Sequence, residues 1–258
     1  MINKPGMFRR PLLIGACLYM LAISSAGPLF ALGTYSQGWA VIELTKFESS
    51  GIIFESYEGS ATVTTFDPKE QCNADENECY TPKTEAISVS VRPESTSAVN
   101  YMLKNIGGKM LIQYNIHRIT PIALKTDFEI LNAQAVSSPR PADLADRFSV
   151  KKTGARRNFS VRAQILRLEE RGTGVKTYEG LYLDLQRNKV HPFSITDDAM
   201  ASFAFRVIQT GQTYYLGLTQ AYVTGFRDSD IDVFEINKND PAGVSDEEPV
   251  PQSPGGEE

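Results

Sequence analysis

An internal duplication constrains the fold of this chain more than any other feature of its sequence. A stretch that begins at Gly51, GIIFESYEGSATV, and one that begins at Gly172, GTGVKTYEGLYLD, both place Tyr-Glu-Gly at the same distance from a glycine. The same shift of 121 residues superimposes residues 44–48 on 165–169. Because self-similarity of this kind marks repeated structural units, the sequence predicts two related units.

The duplication continues along the chain with smaller shifts. A shift of 106 residues aligns 87–89 with 193–195, and a shift of 103 residues aligns 126–131 with 229–234. The larger change corresponds to a stretch at about 66–85 that has no counterpart in the second half. The first unit is therefore predicted to carry an insertion.

Each half shows the same order of predicted elements. Alternating hydrophobicity predicts three strands, a period of about 3.6 residues then predicts a helix, and two more strands follow. The helices are expected near 95–107 and 196–211. The apolar faces are expected to consist of Val99, Met102, Leu103 and Ile106 in the first helix and of Met200, Phe203, Ala204, Val207 and Ile208 in the second. This order is that of the oligonucleotide/oligosaccharide-binding barrel. We expect a mainly β (α+β) chain with two tandem small five-stranded barrels, each with one helix between strands 3 and 4. An open sheet with one helix packed on it is the alternative.

The predicted organisation has five parts. They are an export signal or N-terminal anchor at 1–31, a first barrel-like unit at 35–136, a linker at 137–155 with a short helical turn at 142–147, a second barrel-like unit at 156–238, and a disordered acidic tail at 239–258. The tail holds six acidic residues, four prolines and no basic residue, so it cannot bury enough apolar surface to offset its ordering entropy. It concentrates the formal net charge of -5, so the remaining chain gives no electrostatic reason to expect nucleic acid.

The N-terminal residues have the order of an export signal. Lys4, Arg9 and Arg10 precede an apolar run at 12–23 and the small residues SSAG. We therefore expect export to the periplasm or cell envelope. A retained anchor is one alternative, because the run is long enough to span a bilayer. Lipidation at Cys17 is another, although the apolar run continues past this cysteine.

Two cysteines outside the leader lie in the predicted insertion. Cys72 and Cys79 close the short polar stretch CNADENEC. In an exported chain such a pair predicts a disulfide. The carboxylates between them make a metal site the alternative, but their spacing is not that of a calcium loop and no glycine makes its turn.

The repeated hairpin is similar to one in a known bacterial domain. The residues that match G-x-x-x-K-T-[WY]-E-G best are Gly172, Lys176, Thr177, Tyr178, Glu179 and Gly180. A looser match comprises Gly51, Tyr57, Glu58 and Gly59, with Glu55 and Ser56 in place of Lys and Thr. With the element order, these motifs resemble a small β-domain found across many bacteria. The resemblance implies a fold and no activity.

The sequence offers little for catalysis. His117 and His191 are the only histidines, and they lie at different points of the two units without a partner motif, so we expect roles in packing or at strand ends. No nucleophile elbow, phosphate loop, dinucleotide fingerprint or zinc motif is present. Glu58 and Glu179 are interpreted as structural parts of the hairpin. We expect no catalytic residues, cofactor or metal, and the chain is predicted not to be an enzyme.

Two groups of residues are candidates for an interaction surface. One is the basic linker segment KKTGARR, and the other is the aromatic group near the last hairpin. The candidates are Lys151, Lys152, Arg156, Arg157, Tyr215, Tyr222 and Phe226. The alternatives are a solvated linker for the first group and core packing for part of the second, because strand alternation turns about half of the side chains inward.

These features predict a non-enzymatic, exported bacterial envelope or periplasmic protein with a structural or protein-interaction role. One version is a component of a periplasmic assembly such as the flagellar sheath of spirochaetes. The alternative function is a glycan-binding module for peptidoglycan or polysaccharide. Expected partners are envelope or periplasmic proteins, with cell-wall glycan as the alternative, no nucleic acid, and a membrane only through an uncleaved N-terminal segment.

Overall fold

The computed structural model describes residues 33–51, 55–68, 80–151, 157–172, 176–221 and 227–240. The first unit consists of β1 Thr34–Ser50, β2 Ser56–Pro68, β3 Tyr80–Val91, α1 Thr96–Lys104, β4 Lys109–His117 and β5 Phe128–Gln134. The second consists of β7 Arg157–Arg171, β8 Thr177–Asp184, β9 Lys189–Ile195, α2 Asp198–Ile208, β10 Thr213–Gln220 and β11 Ile231–Asn237. The prediction of a mainly β chain with a helix after the third strand of each unit is confirmed.

Strand pairing is the same in the two units. In the first, β1 pairs antiparallel with β2 and β4, β2 pairs with β3, and β4 pairs with β5. The β3 and β5 strands run parallel where they meet. In the second unit β7 to β11 repeat these pairings, again with one parallel contact, between β9 and β11.

The prediction of two separate five-stranded barrels is corrected by the structure. The described strands form one 11-stranded sheet, which is not a closed barrel. The two units are joined where β1 pairs antiparallel with β7, from Ser36 opposite Arg171 to Ala40 opposite Arg167. This part of β1 lies beyond the end of its pairing with β2, so β7 covers a strand edge that would otherwise be open.

An additional strand lies in the predicted linker. Where a short helical turn was expected at 142–147, the chain makes one turn, in which the Leu144 N–H bonds to the Pro141 oxygen at 3.1 Å, and then β6, Arg147–Ser149, which pairs with the end of β11. Three linker residues gain backbone partners in this way, and the short strand carries the chain towards the second unit.

The register of the strands tests the duplication directly. Ile42 lies opposite Val63 and Ala163 opposite Asp184, which confirms the shift of 121 residues in both strands of the hairpin. Both hairpins also have an irregularity at the same place, between residues 44 and 46 and between 165 and 167.

The third strand needs a different shift from the one predicted. Gly59 pairs with Val89 and Gly180 pairs with Phe193, so residue 89 corresponds to residue 193, a shift of 104 and not 106. A slip of two residues leaves every side chain on the same face, so the hydrophobic pattern cannot distinguish the two registers.

The core consists of two clusters of buried side chains. The first lies within the first unit and includes Leu44, Val89 and Met102. The second lies mainly within the second unit, yet it also contains Trp39 and Leu111 from the first, which are 8% and 1% exposed. The two units therefore share apolar packing as well as backbone hydrogen bonds.

The two helices differ in how much of the predicted face they bury. In α2 the predicted face is confirmed, because Met200, Phe203, Ala204, Val207 and Ile208 are all buried. In α1 Val99 and Met102 are buried, but Leu103 and Ile106 are 44% and 47% exposed, which corrects the prediction that they share this face. Among the described residues, nothing covers these two side chains at the end of α1.

Within the described ranges, neither helix is long and apolar enough to cross a membrane. The predicted export signal, the anchor and lipidation alternatives, and most of the predicted acidic tail lie outside the described residues.

Candidate functional site

The glycines of the repeated motif have local structural roles. Gly51 and Gly172 have φ values of 101° and 91°, a region that glycine adopts readily and other residues rarely do. A Cβ atom on Gly180 would lie 2.3 Å from the ring of Phe193, and one on Gly59 would lie 2.6 Å from the carbonyl oxygen of Lys46. The motif is therefore explained by a tight turn and a close contact between strands.

The glutamates of the motif each face another glutamate across the hairpin. Glu48 lies opposite Glu58, and Glu169 lies opposite Glu179. In the first unit Glu58 accepts hydrogen bonds from Ser56 and Ser90, at 2.6 and 2.5 Å. The second pair is more deeply buried, with Glu169 1% and Glu179 4% exposed.

Glu179 has few partners for a buried carboxylate. One oxygen, Oε2, accepts hydrogen bonds from the Ser194 hydroxyl at 2.6 Å and from the backbone N–H of Asp228 at 3.3 Å. The other oxygen has no hydrogen-bond partner among the described residues. Burial is the main cause that raises the pKa of Glu179 to about 7. This carboxyl group therefore titrates near neutral pH.

Glu169 is held by residues of both units. Its Oε2 accepts hydrogen bonds from the Ser36 hydroxyl at 3.2 Å and from the Tyr114 hydroxyl, both in the first unit. Its Oε1 accepts from Arg167, at 2.8 Å, and from Arg171. Burial by itself raises the pKa of Glu169, but the two guanidinium groups outweigh it and hold this pKa below its usual value. The ionised carboxylate of Glu169 therefore links the two units.

Sequence reasoning missed this buried charge cluster. A usable signal was present, because Arg167, Glu169 and Arg171 alternate along β7 and therefore lie on one face of the strand. The contributions of Ser36 and Tyr114 carry no such signal, since they come from strands more than 50 residues away.

A polar groove of about 470 Å³ lies beside the cluster, between the two units. The outer ends of β2 and β3 form one wall, with Phe66, Tyr80 and Lys83, and Arg171 and Asp228 line the other side. The Tyr80 hydroxyl donates a hydrogen bond to the backbone oxygen of Asp228 at 3.3 Å. The predicted insertion thus starts from a hairpin that reaches the second unit. Cys72 and Cys79 lie outside the described residues, so the predicted disulfide stays a prediction.

The structure brings part of the predicted interaction surface together. Arg157 places its guanidinium carbon 4.8 Å from the ring centre of Phe159. Tyr215 and Phe234 line a pocket of about 100 Å³ on the outer face of β7, β10 and β11, next to Phe159, whose side chain packs against the core of the second unit. Exposed Lys151 follows Val150, whose N–H bonds to the backbone oxygen of Phe234 at 2.8 Å. Lys152, Arg156, Tyr222 and Phe226 lie outside the described residues.

The face around Tyr215 in the second unit has a counterpart in the first unit. Val41 lies opposite Leu111 in the first unit, and Arg162 opposite Tyr215 in the second. In the same way Trp39 faces Gln113, and Ser160 faces Gly217. Tyr215 and Ser160 thus occupy the positions of the two first-unit residues, Leu111 and Trp39, that pack into the core of the second unit. The face that forms the internal interface in the first unit carries an open pocket in the second.

The histidines occupy packing and strand-end positions. His117 ends β4 and lies 2.6 Å from Glu129, which also pairs with Arg92. His191 is buried, with its ring 5.4 Å from that of Tyr182. In the described part of the chain no group of three or more His, Cys, Asp or Glu residues is arranged to hold a metal ion.

The fold and the sites define a tandem β protein whose two units are fused through one sheet and a buried charge cluster. The chain belongs to the family described as a domain of unknown function, DUF8785, whose model matches residues 33–139 and 154–243. No curated protein matches the chain. One matching solved structure is the single-stranded DNA binding protein from Thermus aquaticus, with 8% sequence identity and a TM-score of 0.23, covering 78% of this chain and 89% of that one.

The prediction of partners is corrected by this last comparison. The expectation of no nucleic acid among the partners is contradicted, because one matching solved structure is a single-stranded DNA binding protein. That part of the partner prediction is withdrawn.

Proposed function

We propose that this chain is an exported, non-enzymatic protein-interaction module in which two barrel-like units of the oligonucleotide/oligosaccharide-binding type act as one body. The open face around Tyr215 carries the proposal. Its counterpart in the first unit, around Trp39 and Leu111, is already used to bind a folded unit. The second unit presents the same face with Tyr215 and Phe234, and exposed Arg162 lies opposite Tyr215; aromatic residues and arginine are common at protein interfaces.

The buried acids support a structural role over a chemical one. Both oxygens of Glu169 accept hydrogen bonds, from residues of the two units. Glu179 titrates near neutral pH, yet it is only 4% exposed and the backbone of Asp228 lies against it. These acids support the union of the two units and the position of the loop before β11.

Site-specific photocrosslinking in the native cells tests the proposal. A photoreactive amino acid at Tyr215 is expected to give a discrete, reproducible protein adduct. The same label at Leu185, which is 39% exposed, serves as the control for a surface without an assigned role. Equal labelling patterns at the two positions, or no protein adduct at Tyr215, would contradict an interaction role for this face. Cell fractionation of the same strain tests export.

A further inference from the structure

The first unit shows how its outer face is covered. Trp39 and Leu111 enter a buried cluster that also contains Leu144, from the proline-containing segment that follows β5. The cover of this face thus comes partly from the second unit and partly from the chain that leaves the last strand of the first unit.

The second unit cannot accept another unit in the same way. Gly38 allows β1 to approach β7 closely, because a Cβ atom there would lie 2.3 Å from the carbonyl oxygen of Leu168. The shift of 121 residues puts Phe159 at the corresponding position. A large side chain in place of Gly38 prevents another strand from approaching β7 as closely as β7 approaches β1. The face is therefore expected to bind an extended segment and not a folded unit.

The pocket on this face has the properties of a site for an extended, proline-containing peptide. It is lined by the aromatic residues Tyr215 and Phe234, and the ring of Phe234 lies over Gly217, where a Cβ atom would be 2.9 Å from it. Aromatic-lined grooves of this kind bind proline-rich segments in the polyproline II conformation, whose carbonyl groups are free to accept hydrogen bonds. The buried hydroxyl of Ser160, which also lines the pocket, has no hydrogen-bond partner among the described residues.

The charges around the pocket favour an acidic peptide. Arg162, opposite Tyr215, and Lys151 are both exposed. The one acidic residue of the lining, Glu235, is paired with Arg147 at 2.8 Å. The residues around the pocket therefore carry a net positive charge.

We propose that the acidic, proline-containing segment EEPVP, residues 247–251 of the same chain, docks in this pocket and covers the interaction face. The segment supplies two carboxylates for the basic rim and two prolines for the aromatic walls. It also follows the last strand of the second unit, as the segment with Leu144 follows the last strand of the first. The inference rests on the proposed function in that it assigns a regulator to the same face.

The connection is long enough for docking within one chain. Asn237, at the end of β11, lines the pocket, and the segment begins ten residues further on. Ten residues in an extended conformation span about 30 Å, which is enough to turn back over the pocket. A short flexible connection gives an effective concentration of roughly millimolar, so even a weak contact is populated.

A labelled peptide of residues 244–254, VSDEEPVPQSP, tests the proposal by fluorescence polarisation against the full chain. In the variant Pro249→Gly/Pro251→Gly the chain's own segment is impaired, so the pocket is available to the peptide. We expect this variant to bind the peptide about tenfold more tightly than the unmodified chain. Adding Tyr215→Ala to it should abolish binding, whereas adding Tyr35→Ala, at an exposed tyrosine of the first unit, should not.

Two results would overturn the proposal: no binding of the peptide to the Pro249→Gly/Pro251→Gly chain, or equal binding to this chain and to the unmodified one. Backbone amide shifts of Ser160 and Gly217 provide a second measurement, since release of the segment must change them in the proline variant. Photocrosslinking at Tyr215 separates the two hypotheses. A protein adduct without peptide binding retains the interaction role and removes the segment as its regulator.

Discussion

At the scale of single residues, the duplicated glutamates show how the same residue acquires different roles. Glu48 pairs with Lys46 at the surface, and both side chains are more than half exposed. Its counterpart Glu169 is 1% exposed and neutralises two arginines. A buried ion that loses its partner costs far more than an exposed one.

Replacement of Glu169 should therefore destabilise the chain strongly. We expect Glu169→Gln to lower the free energy of unfolding by about 3–5 kcal/mol, because mostly buried Arg167 loses its carboxylate partner and Arg171 retains only Asp228. The matched change Glu48→Gln should cost less than about 1 kcal/mol. Urea denaturation of the two variants measures both values, and similar losses would show that burial of the ion is not the cause.

Glu179 should make stability depend on pH. Its pKa is raised from 4.5 in the unfolded chain to about 7 in the folded one. As the pH rises between these values, the unfolded chain releases the proton while the folded chain retains it. The free energy of unfolding should thus fall by about 3 kcal/mol between pH 4.5 and about pH 8, where the folded chain has also released the proton, and change little above that.

The variant Glu179→Gln, which cannot ionise, tests this dependence. The difference in unfolding free energy between this variant and the unmodified chain should grow in favour of the variant between pH 4.5 and 7. Ser194→Ala removes a hydroxyl that stabilises the charged form, so it should move the midpoint to higher pH. A difference that does not vary with pH would contradict the raised pKa.

At the scale of strands and helices, the features that depend on residues close together in the sequence were predicted correctly. Alternation located the strands, and a copied hairpin fixed the register of β7 and β8 from that of β1 and β2. The pairing of β1 with β7 was not predictable, since no local pattern indicates which distant edge a strand will cover. The exposed Leu103 and Ile106 were misplaced for a related reason, because periodicity identifies an apolar face but not whether another layer covers it.

The close contact between β1 and β7 should depend on Gly38. We expect Gly38→Ala to weaken the coupling of the two units, because the added Cβ would lie 2.3 Å from a backbone oxygen of β7. Calorimetry should show one unfolding transition for the unmodified chain and two separated transitions for the variant. Gly108→Ala is the control, since its Cβ would lie 3.2 Å from the nearest atom. A single unshifted transition in Gly38→Ala would exclude this coupling.

At the scale of the whole molecule, the two units should depend on each other for stability. Trp39 belongs to the first unit but is buried in the core of the second, and it is the only tryptophan of the chain. Its emission therefore reports the contact between the units.

Separation of the units should be visible in this emission. A fragment of residues 33–139 should emit at longer wavelength than the full chain and unfold at lower urea, because Trp39 and Leu111 lose their apolar surroundings. The urea-unfolded full chain supplies the reference for a fully hydrated indole. If the folded fragment and the full chain had the same emission, the contact described for Trp39 would be wrong.

The exchange of Gly38 for Phe159 between the two copies also bears on how such a chain grows. A gene segment that has duplicated once can duplicate again, and a third copy would need the last unit to offer the close edge that the first unit offers. Phe159 removes that edge. A further unit could join the second one in the same way only after a small residue had replaced Phe159.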